Sequence, residues 1–256
     1  MPQTYRVVQA YDRTLVREVP GDDAGMLETK LATAARTLRA RDAWLKPHQR
    51  GAILQRAAGL LEQRQQAFAK LIAQEGGKPL TDALVEAARA VDGLRNAAEE
   101  LRNFAGREIP MGLTPASDGR LAFTTKEPIG VVAAISAFNH PLNLIVHQVA
   151  PAIAVGCPVI VKPAAPTPLS CLEFVALLHE AGLPEGWCQT LITEDNALAE
   201  RLATDPRIAF LSFIGSARVG WSLRSKLAPG ARCALEHGGA APVIVKPAAP
   251  TPAVLP

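Results

Sequence analysis

A chain of 256 residues with 48% hydrophobic and only 5% aromatic side chains can bury a sizeable core as one large domain or two small ones, which excludes a disordered protein. Lys and Arg total 27 against 24 Asp and Glu, and a net charge of +3 spread along the chain argues against nucleic acid or an anionic membrane surface as a partner. Four cysteines, Cys157, Cys171, Cys188 and Cys233, show neither C-x-x-C spacing nor a dense framework; they fit a reducing cytoplasm, and no metal site is expected.

In chain order, MPQTYRVVQAYDRTLVREVP lacks the uninterrupted apolar run of a secretory signal. Apolar residues then recur at helical spacing in three stretches: Leu27, Leu31, Ala35 and Leu38; Leu54, Ala57, Leu61, Phe68 and Leu71; and Leu84 through Leu101. Three amphipathic helices are predicted, with Gly76-Gly77-Lys78-Pro79 ending the second and Gly106 the third. From Arg107 to Lys126 the composition turns to Pro, Gly, Ser and Asp, as expected of a loop or an excursion of extended chain.

Beyond Pro128 short β-branched runs alternate with helical patterns. The runs are GVVAAIS (130–136), PVIVK (158–162), CQTLIT (188–193), IAFLSF (208–213) and RCALE (232–236); the helical patterns start near Pro141, Pro168, Asn196 and Ala217. The most apolar stretch, LIVHQVAPAIAVGCPVIVK, is broken by His147, Gln148, Pro151, Gly156 and Pro158, so it reads as a buried helix and strand rather than a membrane span. The order is βαβ, the expected fold a mostly parallel, doubly wound, Rossmann-like α/β sheet, and ligands of such sheets sit at the carboxyl ends of the strands.

Chemistry-bearing residues stand at those ends. After the first run, Asn139 has an amide that could donate to a developing oxyanion or simply cap the helix near Pro141. Lys162 ends the second run with a charge, Thr167 can cap, and Pro168 suits a first helical turn. After the fourth, Gly215-Ser216 open a helix whose free N–H groups suit phosphate, and Gly220 permits close packing on the sheet. Glu236 ends the fifth as a general base toward water or as a surface carboxylate before the Gly238-Gly239 turn.

These pieces, taken in order, closely resemble the NAD(P)-dependent aldehyde dehydrogenase superfamily: EGGKP (75–79), EPIGVVAAISAFNHPLN (127–143), APAIAVGCPVIVKPAAPTPLS (150–170), EAGLPEGW (180–187), FIGS (213–216) and LEHGGAAPVIV (235–245). The resemblance implies oxidation of an aldehyde to a carboxylate, with NAD or NADP taking the hydride, through a thioester on a cysteine. It implies that Asn139 supplies the oxyanion amide and Glu236 activates the deacylating water. Lys162 would contact the adenosine ribose, Gly215 and Ser216 would hold the pyrophosphate, and Ser136, Phe138, Ala165, Phe213 and Val219 would lie along the cofactor. The implied division is residues 1–106 as the helical part of the cofactor domain, 107–127 as an oligomerisation-type extended segment, 128–245 as the dinucleotide-binding domain and 246–256 as an anomalous tail duplicating 162–168. The implied assembly is a homo-oligomer.

Departures from the family pattern carry expectations of their own. Phe138 and Ile214 replace a usual tryptophan and threonine. Ala165 stands where many NAD-preferring members have a glutamate; without its repulsion of a 2′-phosphate, NADP is admissible. None of the four cysteines falls at the nucleophile's position, so the chain alone is expected to be inactive, or else to be a non-catalytic nucleotide-binding or oligomer-capping subunit. PVIVKPAAPTP occurs at 158–168 and again at 242–252, and the expectation is a recombined, misassembled or designed reading frame rather than a repeat fold.

Overall fold

The computed structural model describes residues 4–242 and 244, so the tail over 246–256 lies outside the described residues, as does nearly all of the second PVIVKPAAPTP copy. The first element is one that the sequence reading did not anticipate. Strands β1 (Thr4–Val8) and β2 (Leu15–Pro20) form an antiparallel hairpin in the region expected to be helical. Only Val7 and Val19 are buried, against Leu169 and Ile192, and the intervening charged residues mask the alternation. The Asp12 carboxylate accepts the Thr14 amide (3.0 Å) and hydroxyl (2.7 Å), closing the turn.

Helices α1 (Ala24–Arg39), α2 (Pro47–Gln63), α3 (Gln65–Gly76) and α4 (Leu80–Glu100) follow. The apolar pattern predicted as one helix over 54–71 is two, broken at Arg64, whose guanidinium makes a bidentate pair with Glu180 (2.7 and 2.6 Å). Helix α3 stops where Gly77 turns left-handed, at φ +68°. The third predicted helix ends before Gly106: α4 passes into a short 3-10 turn, Leu101–Asn103. In the excursion that follows, β3 (Glu108–Ile109) pairs antiparallel with β4 (Ala122–Phe123).

The rest is the alternating α/β unit. Parallel strands β5 (Val131–Ile135), β6 (Val159–Lys162), β7 (Cys188–Thr190), β8 (Ile208–Gly215) and β9 (Arg232–His237) run in the order β7-β6-β5-β8-β9. Helices α5 (Asn143–Val155), α6 (Leu169–Glu180), α7 (Asn196–Thr204) and α8 (Ala217–Ser225) connect them. Successive β5 side chains serve opposite cores. Val132 and Ala134 pack with Leu54, Leu94, Ile145 and Phe174 on one face, Val131, Ala133 and Ile135 with Leu27, Leu31, Leu198 and Leu211 on the other. Burial on both faces is why the β5 run is continuously apolar. The order reverses at β5, so the carboxyl ends of β5 and β8 flank a topological switch point.

Candidate functional site

Every strand of a parallel sheet delivers its last residue to one edge, and here the register sets the spacing. Lys162, Ile135, Phe213 and Leu235 lie in one row, and Glu236 pairs with Ile214 one residue further on. Three strand spacings separate Lys162 from that position on β9, roughly 14 Å at about 4.8 Å each. The row is long enough to underlie an extended ligand.

Beyond β5 the Ser136 amide continues the ladder to the Lys162 carbonyl (3.0 Å), while the Ser136 hydroxyl is buried with no partner. The chain then bends through Phe138 and Asn139, both exposed, into α5. Asn139 is not the helix cap. Glu86, reaching across from α4, accepts the amides of Leu142 (2.9 Å) and Asn143 (3.1 Å) with one oxygen, leaving the Asn139 amide outside the capping bonds. A second correction concerns α6, which Thr167 does not cap: its hydroxyl is buried without a partner, and Glu75 accepts the amides of Leu169 (2.7 Å) and Ser170 (2.9 Å). Burial pushes the Glu75 carboxyl up to about 7, against the lowering effect of its bonds to Ser170 and Leu169.

Lys162 ends β6 half-buried, its ammonium donating to the Pro163 carbonyl (3.1 Å); burial lowers its pKa and the nearby Glu194 opposes that. Lys162 lines a cleft of about 380 Å³ with Phe213, Val219, Arg218 and Glu200. Ala165 lies next to it, in a small pocket shared with Glu194. Across the cleft, Ser216 is the N-cap residue of α8, but its side chain caps no amide and the first turn holds no acidic residue. Gly215 precedes it where a Cβ would press on the Phe213 ring at 2.7 Å. Glu236 is exposed on the outer side of β9, whereas Cys233, three residues earlier and so on the opposite face, points inward toward Leu211 and Leu223. The other three thiols are buried, and burial raises each of them, Cys188 to about 12.

A larger groove, about 510 Å³, lies between α4 and α5 and contains none of the predicted site residues. What sequence reasoning missed is the set of side chains behind the site: Glu75, Lys78, Glu86 and His140. Glu75 and Lys78 stand in EGGKP, but their partners lie far along the chain and no local pattern announces them.

An open parallel sheet with polar groups gathered at its switch point defines a doubly wound, Rossmann-like α/β protein. The sequence profile of the aldehyde dehydrogenase family matches residues 1–255, and the chain belongs to that family. The 3-sulfolactaldehyde dehydrogenase of Priestia aryabhattai is 42% identical over 180 residues, 70% of this chain and 38% of that protein. Aldehyde dehydrogenase 21 from Physcomitrella patens, solved with the reaction product succinate, superposes with a TM-score of 0.88 at 33% identity over 93% of this chain and 49% of that one. The NADP-dependent glyceraldehyde-3-phosphate dehydrogenase of Bacillus halodurans C-125, solved with NADP, gives a TM-score of 0.88 at 28% identity over 93% and 50%. The chain spans half or less of the length of these relatives.

Proposed function

We propose that this chain is the cofactor-holding part of an NAD(P)-dependent aldehyde dehydrogenase, built of the units 1–106, 107–127 and 128–245, and that copies of it associate through the middle one. One observation carries the reading: the uncapped N-terminus of α8 directly follows β8 and faces the Lys162 cleft across the switch point. Free amides and the helix dipole at Ser216 and Ala217 favour a pyrophosphate there, and the half-buried Lys162 ammonium is placed for the adenosine ribose. Val219 and Phe213 supply apolar wall, the orphaned Ser136 hydroxyl a spare polar contact, and exposed Phe138 a cover. Without a carboxylate at Ala165, both NAD and NADP fit the reading. When bound, NAD or NADP would supply the hydride acceptor.

Asn139 donates its amide to the substrate oxygen, and exposed Glu236 takes the proton of the attacking water. A covalent acyl step also needs a thiolate, and these four cysteines do not offer one: three are buried with raised pKa, and Cys233 faces away from Glu236. The chain by itself therefore binds cofactor without turning over aldehydes. Calorimetry with millimolar NAD and NADP tests the first half; Lys162→Met is expected to weaken binding about tenfold, the loss of one charge-assisted contact. A flat titration of well-folded protein overturns the reading, and sustained formation of reduced nicotinamide with short aldehydes overturns the second half.

A further inference from the structure

Three side chains that the proposed chemistry leaves unused meet one residue beyond Asn139. Lys78 comes from the turn between α3 and α4, Glu86 from the second turn of α4, and His140 from the bend that leads into α5. Their side chains are 14%, 0% and 40% exposed, so the carboxylate is wholly enclosed while the imidazole keeps one edge open. One Glu86 oxygen takes the Leu142 and Asn143 amides and the other takes the Lys78 ammonium. Three of the carboxylate's four lone-pair sites are taken.

Lys78 Nζ stands 2.9 Å from His140 Nδ1, and Glu86 Oε2 stands 3.4 Å from the same nitrogen. An ammonium has donors only, so at that distance Nδ1 must offer its lone pair. A proton on Nδ1 would set N–H against N–H, with only the longer contact to Glu86 in return. The ring proton therefore belongs on Nε2. That nitrogen makes no hydrogen bond to any described residue, on the half-exposed edge of a ring next to Asn139 in the chain.

We propose that Lys78 holds His140 as the neutral Nε2–H imidazole and that this N–H is a second donor beside the Asn139 amide, taking an oxygen acceptor on the substrate, so that aldehydes carrying a carboxylate are preferred to plain alkyl aldehydes. This rests on the reading of Asn139 as the substrate-facing amide. A neutral ring suits the place because its donor needs no counter-charge, while the adjacent Lys78–Glu86 pair is already balanced. A donor aimed at a particular oxygen discriminates against analogues lacking it more sharply than apolar contact does, since the unmet N–H loses its water on binding.

Imidazole nitrogen resonances of the labelled 256-residue chain report the tautomer directly, and succinate and butanoate serve as probes of equal length that differ by one carboxylate. The expected spectrum has His140 protonated on Nε2. Succinate shifts that resonance and binds about tenfold tighter than butanoate, the worth of one charge-assisted hydrogen bond. In His140→Phe the two probes bind alike; in Lys78→Met both tautomers appear. A proton on Nδ1 in the wild type, a preference for succinate that survives His140→Phe, or an unchanged single tautomer in Lys78→Met overturns the proposal. If the chain still binds NAD or NADP, only this inference falls; a folded chain that binds neither cofactor nor probe overturns the functional reading with it.

Discussion

Glu75 holds two opposed effects in one carboxyl group. At the start of α6 it accepts the amides of Leu169 and Ser170, an arrangement that the helix dipole favours for the ionised form. It is also only 3% exposed, and no cation pairs with it among the described residues, so desolvation outweighs the bonds and the group titrates at about 7 instead of 4.5. The folded state thus binds the proton more tightly than the unfolded chain does. Its contribution to stability is whole below about 4.5 and is lost as pH rises to about 7, a swing of roughly 3 kcal/mol at most. Glu75→Gln removes the titration. Melting temperatures of both proteins from pH 4.5 to 8 should show the variant less stable throughout, for want of a good double acceptor, with the gap narrowing as pH rises; a gap independent of pH would contradict the assignment. Asn139, Lys162 and Glu236 were legible as candidates in the sequence because each ends or follows an apolar run, where a polar residue stands out. Glu75 and Glu86 were not, since each acts on a helix more than fifty residues away, and a glutamate on an amphipathic helix looks solvated until its partner is seen.

Strands β5 and β6 could be read to within a residue because burial makes them almost continuously apolar, whereas β7 stops three residues short of the CQTLIT run and β9 is exposed at alternate positions. Hairpin β1–β2 could not be read, since its half-exposed strands bury a single valine each. The break at Arg64 escaped for a related reason: the apolar period runs through it, and only Glu180, on α6, holds the guanidinium there. Helix α8 shows what the elements ask of a particular residue. Its Gly220 is helical, and a Cβ there would overlap His237 Nε2 on β9 and sit 3.1 Å from the Phe213 ring. Gly220→Ala would therefore push α8 off the sheet despite alanine's better helix propensity, at about 1–3 kcal/mol for overpacking against roughly 1 kcal/mol gained. The expected result is a lower melting temperature and weaker cofactor binding, because the displaced element carries Ser216. Adding His237→Ala should recover part of both losses; strictly additive effects would show that the two residues do not share the contact.

The assembled chain leaves two places where surface is unfinished. Strand β9 is the last of the sheet, with no neighbour on its outer side among the described residues, but it is short and carries Arg232 and Glu236 outward, which discourages pairing. The excursion after α4 has no such protection. Leu113, Leu121 and Phe123 are 81%, 78% and 69% exposed around strands of two residues each, too short to be stable as an isolated pair. Large apolar side chains gathered on one projecting ribbon are expected to bury themselves against another copy, by adding strands to one another or by packing on an exposed apolar face. Association that covers them needs an interface of at least about 1,000 Å² to persist. Light scattering across a dilution series should give a mass above that of one chain at micromolar concentration, and Leu121→Asp with Phe123→Asp should return it to one chain without lowering the melting temperature, since neither side chain belongs to a buried cluster. A wild-type protein that stays monomeric over the whole series would show that the ribbon is not an association surface for copies of this chain.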